Sequence, residues 1–231
     1  MEKSKVKKVK LSWLTFIIVP LILLYGVYIG DRNYWLISMT VIISAIWIFF
    51  SLFEKRKPRA REIVPIAVMS AIAAIGRLAF AMLPQFKPVA AIVIITGVSF
   101  GPEAGFLTGV VSALVSNFFF GQGPWTPWQM FAFGTIGFLA GILYRHKVIK
   151  NKLSICIFGG ISGYLYGIIV NLWVILSNIN PLSKELITAT YISSIPFDTI
   201  RAVSTVIFLY ILAIPMKEKM ERLKKKYGLY R

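Results

Sequence analysis

The chain has 231 residues, of which 57% are hydrophobic and only 15% charged, and its mean hydropathy is +0.74. A soluble domain of this size cannot keep so much apolar surface from water, so soluble, disordered, collagen-like and disulfide-stapled readings are excluded. The net charge is +17, but the cations are grouped: residues 1–10, 54–61, 144–152 and 217–231 hold five, five, four and seven of the 26 Lys and Arg. These groups alternate with long apolar runs, the pattern of cytoplasmic loops between membrane spans, and need no nucleic acid to explain them.

A helix crosses a bilayer with about 20 apolar residues. The first span is expected over 12–29, where a basic start and an apolar run lack a small-residue cleavage site, so it reads as an uncleaved span. The second falls at 34–53, and both of these leading spans, aromatic and aliphatic with few small or polar residues, could face lipid. The third, 62–83, ends before Pro84 and Pro88, and the fourth, 89–100, is short. Gly101-Pro102 breaks the chain and starts the fifth, to Phe120. A Gly/Pro/Trp segment then precedes the sixth span at 129–144. The seventh is expected at 153–177 and, after a long outer loop at 178–195, the eighth at 196–216.

Eight crossings place both termini on one side, and all four basic groups then fall on that side, the cytoplasm. The expected fold is therefore an all-α integral membrane protein. A basic tail, two accessory spans and a basic linker (1–61) precede a six-helix core (62–216), and a basic cytoplasmic tail (217–231) follows. The core spans are rich in Gly, Ala, Ser and Thr, which let membrane helices approach closely.

Catalytic chemistry is poorly supplied. The single histidine, His146, lies between Arg145 and Lys147 in a cytoplasmic loop. The carboxylates Glu62, Glu103, Glu185 and Asp198 are scattered singly, and no phosphate-binding loop is present. Neither a catalytic nor a metal site is expected. The one cysteine, Cys156, reads as a small buried hydrophobe.

Polar groups inside spans are costly and are functional candidates by default. Arg77, Asn117, Asn171, Asp198 and Arg201 all lie toward the outer ends of their spans. Asp198 and Arg201 are three apart and can pair on one helix face, or else meet a ligand. Arg77 has no local partner; it meets Asp198 across helices, snorkels outward, or faces a ligand. The segment SNFFFGQGPWTPWQM at 116–130 interleaves Asn117, Gln122 and Gln129 with aromatic rings including Trp125 and Trp128. Flat faces beside amide donors and acceptors suit a planar or amphipathic ligand, although interfacial Trp also anchors membranes. The loop LPQFKP at 83–88, with Gln85, has the same chemistry on the same side. Ala67 and Ala71 form a small-residue stripe near the cytoplasmic end of the third span, suited to helix packing or to docking another subunit.

These features resemble the substrate-binding (S) component of energy-coupling factor transporters. The resemblance rests on a six-span core with a short second helix, the Ala67/Ala71 stripe, and the segments KPVAAIVIITG (87–97), FGPEAGFLTG (100–109) and GQGPWTPWQM (121–130). It implies a multi-pass protein of the bacterial plasma membrane that captures a vitamin from outside. Ala67 and Ala71 would dock it on a transmembrane coupling subunit driven by two ATPases. Arg77, Gln85, Asn117, Gln122, Trp125, Trp128, Gln129, Asn171 and Asp198 would line the cargo site. No resident cofactor is implied. Among members of the class the third-loop chemistry is most like cobalamin-type components, so the cargo expected is cobalamin or a related corrinoid, with riboflavin or a queuosine precursor as alternatives. A stand-alone secondary transporter or channel and a membrane enzyme acting on lipid are the competing classes. They are disfavoured by the lack of an intramembrane carboxylate or histidine relay and of an obvious acid or base.

Overall fold

A computed structural model describes residues 17–25, 60–178 and 183–228, together with isolated positions between 28 and 47. Among the described residues the structure is helical and contains no strand. The expected N-terminal tail and much of the first two spans lie outside the described residues. At the positions described there, Val19, Leu23 and Val41 are buried and belong to the same apolar cluster as the core. Ile17, Leu21 and Trp47 are exposed. The expectation that this leading pair could simply face lipid is thus modified: one face of it is packed.

The core is built from α1 (Ala60–Ala79), α2 (Val89–Phe100), α3 (Pro102–Phe120), α4 (Trp125–Arg145), α5 (Lys152–Asn178) and α6 (Lys184–Tyr227). By length and composition α3, α4, α5 and α6 can cross a membrane, while Ile63–Ala79 of α1 and the whole of α2 are shorter apolar stretches. At 12 residues α2 is only about 18 Å long, and all of its residues are buried. A helix apolar on every side belongs inside a bundle, and α2 packs against each of the other five core helices.

Glycine makes the tight centre. A Cβ on Gly105 would lie 2.4 Å from the Gly137 carbonyl oxygen, and one on Gly97 would lie 2.2 Å from the same atom. The backbones of α2, α3 and α4 therefore meet where no larger residue fits. Gly101, with φ 102°, breaks α2 from α3, and Pro102 begins the new helix.

Departures from the sequence expectation include the ends of α4 and α6. Helix α4 starts at Trp125 rather than 129, because Pro124 and Pro127 sit at the helix start, where a missing N–H costs nothing. Helix α6 starts at Lys184, where the Ser183 hydroxyl accepts from the Leu186 N–H at 3.2 Å. It runs unbroken through Pro196 and Pro215 to Tyr227. Much of the expected outer loop 178–195 and basic tail 217–231 is therefore helical. The two prolines each remove one hydrogen bond, but the helix is long enough on either side to continue.

Candidate functional site

All six core helices contribute to a cavity of about 510 Å³ at the end of the bundle that carries the α1–α2 and α3–α4 connections. Arg77 and Ala81 come from α1 and the turn after it; Pro84, Gln85 and Lys87 come from the connection. The first turn of α2 supplies Val89 and Ala90. The α3 end gives Asn117, Phe120 and Gly121, and the α4 start gives Trp125, Gln129 and Phe133. Tyr166 and Val170 come from α5, and Arg201 from α6.

The connection between α1 and α2 is pinned from several directions. Phe80 and Phe86 pack on Phe208 of α6, with ring centroids 5.1 and 5.5 Å away. The Lys87 ammonium donates to the carbonyl oxygens of Phe80 at 2.9 Å and Leu83 at 3.0 Å, capping the end of α1. Ser204 of α6 donates to the Lys87 carbonyl at 3.1 Å. Gln85 adopts φ 58°, and its side-chain oxygen accepts from Nη2 of Arg201.

A second network ties α1, α3 and α4 together. Nη1 of Arg77 donates to Ser116 Oγ at 2.6 Å and to Asn117 Oδ1 at 2.7 Å. The Asn117 amide in turn donates to Thr126 Oγ1 and Gln129 Oε1, both at 3.0 Å. Both acceptors of Arg77 here are neutral. Its guanidinium also lies 4.7 Å from the Phe120 ring centre, and the Lys87 ammonium lies 5.4 Å from the same ring. Burial, and then the neighbouring Arg77 charge, hold the Lys87 ammonium below the usual lysine range.

The third cation is differently placed. Arg201 pairs with Asp198 at 2.5 Å and lies over the buried Tyr166 ring at 4.2 Å. The other Asp198 oxygen accepts from Ser194 at 3.0 Å. Gly167 allows this approach: a Cβ there would lie 2.0 Å from Asp198 Oδ2. Of the two roles left open for this pair, the local ion pair is formed, with Arg201 at the cavity and Asp198 outside its lining.

Of the nine residues expected at the cargo site, Arg77, Gln85, Asn117, Trp125 and Gln129 come together at the cavity wall. Gln122 donates to the Leu114 carbonyl at 3.0 Å and ties down the α3–α4 connection. Trp128 is buried in the core. Asn171 is outside the lining, and its amide nitrogen is buried without a hydrogen-bond partner. Lys87, Phe120, Phe133, Tyr166 and Arg201 were missed as lining residues. The usable signal was Lys87 and Arg201, two cations within or beside the outer ends of apolar spans; buried rings inside helices carry no such mark. Among the described residues, no three His, Cys, Asp or Glu side chains gather as metal ligands.

Toward the other end of α1, Ala67 and Ala71 are exposed, as are Val64, Val68, Ile72 and Ile75. The small-residue stripe is therefore not used in packing the described bundle. An apolar groove of about 330 Å³ adjoins it, lined by Val64, Pro65, Val68 and Met69 of α1 and by Met220, Leu223 and Tyr227 of α6.

A helical membrane bundle with a closed apolar centre and a polar, ring-lined cavity at one end defines a small-molecule binding protein of the membrane. The chain belongs to the family of ECF transporter substrate-specific components, whose model matches residues 61–213. That family is a transporter component and not an enzyme. The chain is similar to a UPF0397 protein of Vibrio atlanticus, 33% identical over 100 residues, covering 41% of this chain and 53% of that protein. It is also similar to a UPF0397 protein of Aliivibrio fischeri, 31% identical over 122 residues, covering 46% of this chain and 66% of that protein. The chain thus spans about half to two thirds of the length of these curated relatives. No solved structure matches the chain significantly.

Proposed function

We propose that this protein is the substrate-capturing subunit of an energy-coupling factor importer in a bacterial plasma membrane. It holds one vitamin-sized molecule in the six-helix cavity and passes it inward after docking on a transmembrane coupling subunit powered by two ATPases. The observation that carries the reading is the cavity itself: residues from six helices converge on it at one end, inside a family of substrate-specific components. The exposed Ala67/Ala71 face and the apolar groove beside it support the docking step, since small side chains let a partner helix approach closely.

The volume bears on the cargo. About 510 Å³ lies within the range of roughly 300–1,000 Å³ for small-molecule sites. A vitamin of flavin size or smaller fits this space as it stands. The amide and aromatic wall also suits the rim of a corrinoid, but a complete corrinoid requires the α1–α2 and α3–α4 connections to move apart. The smaller class is therefore preferred here, with a corrinoid as the other outcome.

The deciding experiment is mass spectrometry of small molecules released from the purified full chain, followed by uptake in vesicles with and without the coupling subunit and ATPases. A bound vitamin and ATP-dependent uptake support the reading. Uptake driven by an ion gradient without ATPases would assign the chain to stand-alone transport instead.

A further inference from the structure

The cavity wall carries an excess of positive charge. Arg77, Lys87 and Arg201 line it, and among the described residues no Asp or Glu does. Asp198 answers Arg201 from behind, which leaves Arg77 and Lys87, both set against the Phe120 ring, without a carboxylate in the lining. Arg77 spends two N–H contacts on neutral oxygens out of the five N–H groups a guanidinium carries. Two like charges held side by side at the edge of a membrane are expensive unless something neutralises them.

The backbone adds to the same sign. Val89 and Ala90, both buried and both lining the cavity, form the first turn of α2. First-turn N–H groups have no acceptor within their helix, and Pro88 at the N-cap provides no side-chain cap. The positive end of that helix therefore lies at the cavity wall, and such an end favours phosphate and carboxylate. Opposite in character are Trp125, Phe133 and Val170, which offer the cavity apolar and flat surface.

We propose that the cargo is an anion: a compound whose carboxylate or phosphate is held by Arg77, Lys87, Arg201 and the open first turn of α2, while its flat or apolar body lies along Trp125 and Phe133. Arg201 and Arg77 provide the forked donors that recognise either group in two-point fashion. The inference rests on the reading of the cavity as the cargo site and narrows it to one substrate class. Binding places an anion beside the two cations that have only neutral acceptors, so the empty and loaded cavities differ in charge.

The test uses the purified full chain in lipid nanodiscs and matched acid and neutral ligands. Nicotinate against nicotinamide and biotin against its amide probe a carboxylate. Pyridoxal phosphate against pyridoxal and flavin mononucleotide against riboflavin probe a phosphate. In at least one pair the acid should bind about tenfold tighter or more, about 1.4 kcal/mol, and which pairs respond tells carboxylate from phosphate. Arg77→Gln should abolish that preference, bringing the acid-to-neutral affinity ratio of the responding pair to within about twofold of one. Lys87→Gln, at the connection rather than inside a helix, makes the same test if the first variant fails to fold. The proposal is overturned if no acid outbinds its neutral counterpart, or if the preference survives both substitutions. Failure of the transport reading shows separately, as absence of co-purification with a coupling subunit.

Discussion

Asn117 has one side-chain oxygen and one nitrogen, and both are committed: it accepts from Arg77 and donates to Thr126 and Gln129. Removing the amide takes one partner each from Arg77, Thr126 and Gln129 at the cavity wall; Arg77 keeps Ser116 and Thr126 keeps the Gly123 N–H, so the cost falls chiefly on Gln129. Asn117→Ala, and separately Trp125→Ala, should each weaken ligand binding about tenfold or more, about 1.4 kcal/mol, in a titration against the ligand identified by mass spectrometry. Unchanged affinity in both would move the site elsewhere. Gly167→Ala tests the cavity from behind. Its new methyl group would overlap the Asp198 carboxylate, displacing it and freeing Arg201 to swing from its place over Tyr166. Affinity should again drop by about tenfold, with the helical circular dichroism spectrum retained.

At this scale the candidate site was partly legible. Arg77, Asn117, Gln129, Gln85 and Trp125 stood out because hydrogen-bonding groups and interfacial rings within apolar spans need a reason to be there. Tyr166 and Phe133 could not be singled out, since a ring in a membrane helix looks the same whether it faces a neighbour or a cavity. Arg201 was absorbed by its i, i+3 partner. The pairing was readable from spacing, but which of the two faced the cavity depended on how α5 and α6 pack.

Among elements, the α2–α3–α4 crossing is the least tolerant. A Cβ on Gly137 would lie 2.3 Å from the Gly105 carbonyl oxygen. Backbone cannot rotate away as a side chain can, so Gly137→Ala should cost about 1–3 kcal/mol of stability, read as a lower midpoint of thermal unfolding in detergent. Gly160→Ala is the matching control, because its nearest neighbour would be 3.6 Å away; it should be neutral or slightly stabilising. Helix existence was legible from apolar runs, and the shortness of α2 from its Pro88 and Gly101 limits. The start of α6 was not. Pro196 reads as a helix start in sequence, whereas the Ser183 cap and the packing of α6 on α5 carry the helix across it.

For the molecule as a whole, the described bundle keeps its polar cavity and its small-residue face apart, at different heights on α1. Ala67 and Ala71 are exposed, so a large side chain there need not disturb the core. Ala67→Trp and Ala71→Trp should lose co-purification with the coupling subunit while ligand affinity stays within about twofold. Normal co-purification of both variants would refute docking through this face. The whole-molecule features that composition reveals are membrane residence and helical class, because burial in lipid demands both. Cavity volume and the charge of its wall depend on how six helices lean on one another, which no local pattern encodes.

The 44 residues of α6 make a rod about 66 Å long, roughly twice the thickness of a bilayer's hydrocarbon core, about 30 Å. The same rod carries Arg201 at the cavity and, several turns on, Met220 and Leu223 in the groove beside the alanine face. One unbroken helix therefore joins the cavity to the apolar surface at the other end, so a tilt of α6 at the first is felt at the second.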